Sequence, residues 1–130
     1  MVDKFYVDEK VHKLFRDLVD ERGSPFFGMQ IKDVFIFAMS MGFASKSRSE
    51  LNKKKDIADV DVFTDNQLAL IKSIAVKAEG KLEVLADDSK PMDIAEEYAN
   101  GGIHILYEMV FKTKDDPLKN LDKKISSLTK

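Results

Sequence analysis

Residues 34–43, VFIFAMSMGF, constrain the fold of this chain more than any other segment. Nearly every one of these residues is apolar, so a helix built from them has no face that suits water and belongs inside a core. The segment is too short to cross a bilayer, which needs about 20 apolar residues. We therefore predict a central helix over residues 30–43. Gly42 and Phe43 are expected to end it as the C′ and C″ positions of a Schellman motif.

Three further segments have the apolar spacing of helices that bury one side. The first follows a predicted N-cap at Asp8, and the second is predicted over residues 65–79 between an N-cap at Thr64 and a closing Gly80. The third begins at Asp88 or Ser89 and continues to residue 111. The first of these helices carries one apolar stripe formed by Val11, Leu14, Phe15, Leu18 and Val19.

The helix predicted to end at residue 111 has two unusual features. Gly101 and Gly102 interrupt its middle, and each glycine costs about 1 kcal/mol relative to alanine. The pair indicates either a kink or a close approach of another backbone, and both alternatives stay open. Its solvent-facing side is predicted to carry Asp93, Glu97, Asn100, His104 and Glu108.

The connecting segments are predicted from polarity and alternation. Residues 2–7, VDKFYV, favour extended backbone and suit a short N-terminal strand. Residues 45–56 are polar and basic, which is typical of an exposed loop, and residues 57–63 suit a short extended segment at a sheet edge or a loop. Residues 81–86 form a turn-like segment expected to bring Leu82, Val84 and Leu85 inward.

Together these features predict a mainly α fold, a compact bundle of four to five helices around the central helix. A chain of 130 residues is long enough for one domain with a substantial core. We assign residues 1–112 to a single helical domain and residues 113–130 to a lysine-rich C-terminal helix or tail.

The residue types available for chemistry are few. The chain has no cysteine, two histidines on polar helix sides and no glycine-rich phosphate loop, so no catalytic residue, metal site or cofactor is predicted. We expect that it is not an enzyme. A competing hypothesis is an enzyme in which Asp59 and Asp61 hold a metal, although the glycine and terminal glutamate of a calcium loop are missing. No signal peptide or membrane span is visible, so the cytoplasm is expected.

Basic charge is concentrated in two places although the net charge is −2. Residues 44–56 carry five basic and two acidic side chains, and residues 112–130 carry six and three. DNA is therefore a candidate partner, contacted through its phosphates with an affinity that falls with salt. The candidate contact residues are Lys46, Arg48, Lys53, Lys54 and Lys55.

The first 43 residues also have the element order of a ribbon-helix-helix regulator: a short strand, a helix, a brief loop and a second helix. Such a regulator is an intertwined dimer whose paired strands enter the major groove. Asp3 would repel phosphate there, and packing of Phe5 and Val7 into the core is the competing interpretation of the strand.

Two segments carry a resemblance to a known family. KDVFIFAMSMGF (32–43), followed by the basic loop, and EEYANGGIHIL (96–106), preceded by GKLEVLADDS, resemble small proteins encoded beside DNA phosphorothioation (dnd-type) modification and defence systems. The resemblance covers about residues 8–112. It implies an accessory protein of a prokaryotic defence system, with no implied catalytic activity, whose partners are DNA or other proteins of that system.

The resemblance also indicates which residues are candidates for contact with a partner. The candidates are Glu97, Tyr98, Asn100, Gly101 and Gly102, whose spacing suits helix packing at least as well as ligand contact. The sequence leaves the oligomeric state open, and a dimer is compatible with it.

Overall fold

The computed structural model describes residues 3–112, which form four α-helices and a two-stranded antiparallel sheet. The mainly α fold around a central helix, with a short N-terminal strand, is confirmed. The lysine-rich tail assigned to residues 113–130 lies outside the described residues, so the predicted domain boundary stays a prediction. In chain order the elements are β1 (Lys4–Asp8), α1 (Glu9–Asp20), α2 (Ile31–Ala44), β2 (Lys54–Asp59), α3 (Asp65–Glu79) and α4 (Ser89–Phe111).

The predicted caps of α1 and α3 are confirmed, whereas Asp88 at the start of α4 forms no side-chain capping hydrogen bond. The Asp8 side chain accepts a hydrogen bond from the Lys10 N–H at the start of α1. Thr64 and Gln67 form a reciprocal capping box at the start of α3, which satisfies two backbone donors that the helix leaves free. Gly80 ends α3 with a φ of 72°, a left-handed conformation that glycine adopts without strain.

The core is built on α2 and α4, which pack backbone to backbone. A Cβ atom at Gly102 would overlap the carbonyl oxygen of Ala38, and a Cβ atom at Gly42 would overlap the carbonyl oxygen of Tyr98. The glycines of α4 therefore serve a close approach of another backbone, one of the two alternatives left open. The prediction that Gly42 ends the central helix is wrong, because α2 continues to Ala44 and uses Gly42 at this crossing.

The sheet joins the N-terminus to the segment before α3. β1 pairs antiparallel with β2 of the same chain, with a register shift between Phe5 and Tyr6. Phe5 and Val7 are fully buried in the core, in agreement with the core-packing interpretation of this strand. The exposed loop predicted over residues 45–56 is correspondingly shorter, because its last three residues belong to β2 and form ladder bonds with β1.

The structure also bears on membrane insertion. Between residues 3 and 112, no helix combines the length and the apolar character needed to cross a bilayer.

Candidate functional site

The segment between α2 and β2 is held against α4 and is not a free loop. Asn100 is 4% exposed, and its Nδ2 donates hydrogen bonds to the carbonyl oxygens of Ser49 and Glu50 at 3.2 and 3.3 Å. A Cβ atom at Gly101 would overlap the carbonyl oxygen of Ser47. The prediction of a solvent-facing Asn100 is therefore wrong, because this segment covers that side of α4.

The far end of the same segment is fixed to the start of α1. The Asn52 N–H donates to Oδ2 of Asp8 at 2.7 Å, and the Asp8 side chain is buried. The hydrogen bonds from the Asn52 and Lys10 N–H groups hold the pKa of Asp8 below its ordinary value. One carboxylate thus caps α1 and anchors the connection into β2.

Arg48, a candidate phosphate contact, is engaged by residues of its own chain. Its Nε donates to Oε1 of Glu97 at 2.6 Å, and its NH1 group lies 3.7 Å from Oε2 of Glu79. The guanidinium also lies 5.4 Å from the centre of the Tyr98 ring, within the range of a cation–π contact. Two residues of the family-like segment, Glu97 and Tyr98, therefore hold Arg48 in place.

The four candidate lysines have different surroundings. Lys53 forms an ion pair with Glu9 at 3.2 Å, and the Lys54 ammonium lies 5.7 Å from the centre of the Tyr6 ring. Lys46 and Lys55 are exposed and form no ion pair with any residue between 3 and 112. The structure thus leaves two of the five predicted cations without a carboxylate or aromatic partner among these residues.

A pocket of about 200 Å³ lies between α4 and the start of β2, and we call it the polar pocket. Four carboxyl groups and one ammonium group line it, so its net charge is negative even with Glu97 paired to Arg48, and this charge disfavours a phosphate. The lining residues are Glu50, Leu51, Lys54, Asp93, Glu96 and Glu97.

Glu96 is the most perturbed group of the polar pocket. It is 3% exposed, and its Oε2 accepts a hydrogen bond from the Tyr6 N–H at 2.8 Å, which ties α4 to β1. Burial raises the pKa of Glu96 to about 7, although the Tyr6 hydrogen bond and the charge of Lys54 oppose the shift. A buried carboxyl with a raised pKa beside a pocket is a functional candidate on physical grounds.

Glu96 was not among the residues predicted from the sequence, although its helical spacing indicates burial. Residues three and seven positions later, Ala99 and Ile103, lie on the apolar stripe of α4 and are buried. Helical spacing places Glu96 on that same face, so its burial was predictable. Its partner was not, because the Tyr6 N–H lies 90 residues away in the chain.

The other titratable candidates are arranged differently. His104 is exposed, whereas His12 is partly buried, and burial together with the nearby Lys55 charge lowers the pKa of His12. Asp59 ends β2 and Asp61 lies in the short 3₁₀ turn that follows. Within the described part of the chain, no group of three or more carboxylates or imidazoles is placed to hold a metal ion.

A second depression, which we call the apolar groove, lies between α3 and the 3₁₀ turn Leu82–Ala86. Its volume is about 390 Å³, and it is lined by Lys72, Ser73, Val76, Lys77, Leu82 and Leu85. The prediction that all three apolar residues of the turn point inward is wrong. Val84 is 3% exposed, whereas Leu82 and Leu85 are 70% and 39% exposed, because residues three apart share one side of a 3₁₀ helix.

Comparison with known protein families gives one informative result. A family model described as DNA sulphur modification system-associated protein 4 matches residues 5–128. Neither the comparison with curated proteins nor the comparison with solved structures gives a match.

Proposed function

Because this chain belongs to the family of DNA sulphur modification system-associated protein 4, we propose that it is a non-enzymatic accessory protein that binds another protein of that system. The family resemblance seen in residues 32–43 and 96–106 is thereby confirmed. Cytoplasmic location is part of the proposal, because the DNA on which such a system acts lies there.

We favour a protein partner over DNA because two of the five candidate cations, Arg48 and Lys53, already form ion pairs within the chain. Arg48 is held between Glu97 and Glu79, and Lys53 is paired with Glu9. Phosphate contact at these positions would have to compete with existing ion pairs beside the negative polar pocket. The rim of a protein interface is polar and solvent-accessible, and the surface of this segment fits that description.

The non-enzymatic part of the proposal is supported by what the family-like residues of α4 do. Asn100 and Gly101 are buried against the segment that follows α2, and Gly102 is buried against Ala38 of α2 itself. These contacts account for the spacing of the motif through packing, without requiring a substrate.

The ribbon-helix-helix alternative has weaker support. A regulator of that class pairs its N-terminal strand with the same strand of a second copy and offers one strand face to DNA. Here β1 pairs with β2 of its own chain, and Phe5 and Val7 are buried. A strictly monomeric protein in sedimentation would remove this alternative.

The proposal is tested by measuring both kinds of binding on the same variants. The loop variant changes Lys53, Lys54 and Lys55 to alanine. A control variant with the same loss of charge changes the exposed Lys81, Lys90 and Lys112 to alanine. Each purified protein of the modification system is tested singly as a partner, and duplex DNA is tested at about 50 mM and about 200 mM salt.

We expect one protein of the system to bind the full chain, with DNA affinity weak and reduced equally in both lysine variants. Two results would overturn the proposal. The first is tight, salt-sensitive DNA binding that is lost in the loop variant and kept in the control. The second is the absence of binding to every protein of the system.

A further inference from the structure

We propose that the apolar groove is the docking site for an acidic amphipathic helix of the partner protein. This inference rests on the proposed function and adds to it the surface and the chemistry of the partner. It is supported by the shape of the groove, by the exposure of its apolar side chains and by two lysines that form no ion pair within the described residues.

The groove exposes side chains that a folded domain normally covers. Leu82 is the most exposed of the large apolar residues described, and Leu85 lies one 3₁₀ turn away on the same side. Val76 of α3 forms the facing wall. Interaction sites commonly combine apolar residues in a depression with a polar border, and an amphipathic helix is a common occupant of such a groove.

Two lysines border the apolar strip. At 100° per residue, Lys72 and Lys77 lie on opposite sides of Ser73 and Val76 on the surface of α3. Both lysines line the groove, and neither forms an ion pair with a residue in the range 3–112. An occupant with apolar residues in the centre and carboxylates on both flanks would satisfy the two ammonium groups.

Charge also disfavours the other occupants. Residues 112–130 of this chain carry six basic and three acidic side chains, so their charge would oppose Lys72 and Lys77. A second copy docked by two-fold symmetry would place the same lysines against each other. An acidic partner avoids both repulsions.

The first arm of the test uses a defined probe and the full chain labelled with ¹⁵N. The probe is a designed helical peptide with a leucine stripe flanked by glutamates, and the reference peptide has lysines in place of the glutamates. We expect amide shifts at Val76, Leu82 and Leu85, with the glutamate peptide binding about tenfold more tightly.

Reversing the charges of the two groove lysines tests whether they cause the preference for the glutamate peptide. Lys72→Glu with Lys77→Glu is expected to invert the preference between the two peptides. The matched control, Lys10→Glu with Lys90→Glu, changes two exposed lysines that do not line the groove and is expected to leave the preference unchanged. Equal affinities of the wild-type chain for both peptides, or shifts mapping away from the groove, would overturn the inference.

The second arm uses the protein of the modification system that binds the full chain. Leu82→Ser with Leu85→Ser is expected to weaken that binding about tenfold or more. The control pair, Phe27→Ser with Met29→Ser, changes two exposed apolar residues elsewhere and should leave the binding unchanged. Equal binding by both variants would place the partner on another surface and overturn the inference while the proposed function stands.

Two results would identify a different occupant. Self-association that disappears in the Leu82→Ser, Leu85→Ser variant would assign the groove to a second copy. Leu121 and Ile125 are apolar residues with helical spacing in the lysine-rich segment 113–130. Shifts at the groove amides caused by Leu121→Asp with Ile125→Asp, without any peptide, would assign the groove to this segment. Failure of every system protein to bind the wild-type chain would instead refute the proposed function. The peptide experiment would still decide whether the groove binds an acidic amphipathic helix.

Discussion

Replacing Glu96 with glutamine should change how the stability of this protein depends on pH. The ordinary pKa of a glutamate is 4.5, whereas burial raises that of Glu96 to about 7. The folded protein therefore binds this proton more tightly than the unfolded chain does. The resulting stabilisation is fully present below pH 4.5 and is lost as the pH rises through about 7. At about 1.4 kcal/mol per pKa unit, the loss is about 3 kcal/mol.

Glutamine keeps the shape of the protonated side chain, and its carbonyl oxygen can accept the same hydrogen bond from the Tyr6 N–H. The free energy of unfolding of Glu96→Gln, minus that of the wild type, should therefore rise by about 3 kcal/mol between pH 4 and pH 8.5. Urea denaturation followed by circular dichroism at a series of pH values measures this difference and cancels the other titrating groups.

A matched control is Glu83→Gln, because Glu83 is an exposed glutamate. Its difference from the wild type should stay nearly constant with pH. A difference for Glu96→Gln that is also constant, or one that rises towards acid pH, would refute the reasoning that Glu96 is buried with a raised pKa.

Two further substitutions test the contacts of α4. Gly102→Ala should destabilise the fold by about 2 kcal/mol, because the new methyl group meets the Ala38 carbonyl and two backbones must separate. Thermal unfolding measures this, and Gly23→Ala, where nothing lies within 4 Å of the added atom, is the control; equal melting temperatures would contradict the close packing. Asn100→Ala should cost about 1–3 kcal/mol and accelerate hydrogen exchange at residues 47–52, since two carbonyl oxygens lose their donor. Unchanged exchange there would show that other contacts suffice to hold the segment.

The helices were predictable because their causes are local. The apolar stripe of α1 from Val11 to Val19 follows the helical repeat, and the side chains of Asp8 and Thr64 reach backbone donors two or three residues away. The buried central helix was predictable for a related reason. A helix without a polar face is stable only where other residues cover all of its sides, whichever residues those are.

The wrong predictions concern residues whose local sequence pattern is compatible with two different tertiary environments. Gly42 has the sequence context of a helix end, yet it lies inside α2 because Tyr98 of another helix approaches there. Asn100 has helical spacing with solvent-facing residues, yet the segment containing Ser49 covers it. Neither residue carries information about which distant segment lies against it.

At the candidate site, too, the sequence predicted the residue types, and tertiary packing decided their partners and exposure. Composition identified the five cations from Lys46 to Lys55 but not their partners, since Arg48 meets Glu97 and Glu79 only after α3 and α4 have packed. The apolar groove was likewise hidden, because Leu82 and Val84 are equally apolar and only the packing of the turn decides which one is covered.

The sequence by itself determined the family, the helical repeat, the caps and the need for a buried α2, because these depend on residue types at short separation. The tertiary structure decided which charges are neutralised, which glycines admit a backbone, that Glu96 lies beside Tyr6, and that Leu82 stays exposed. Each of these depends on contacts between segments far apart in the chain. Their distances and solvent exclusion arise only when the whole domain folds.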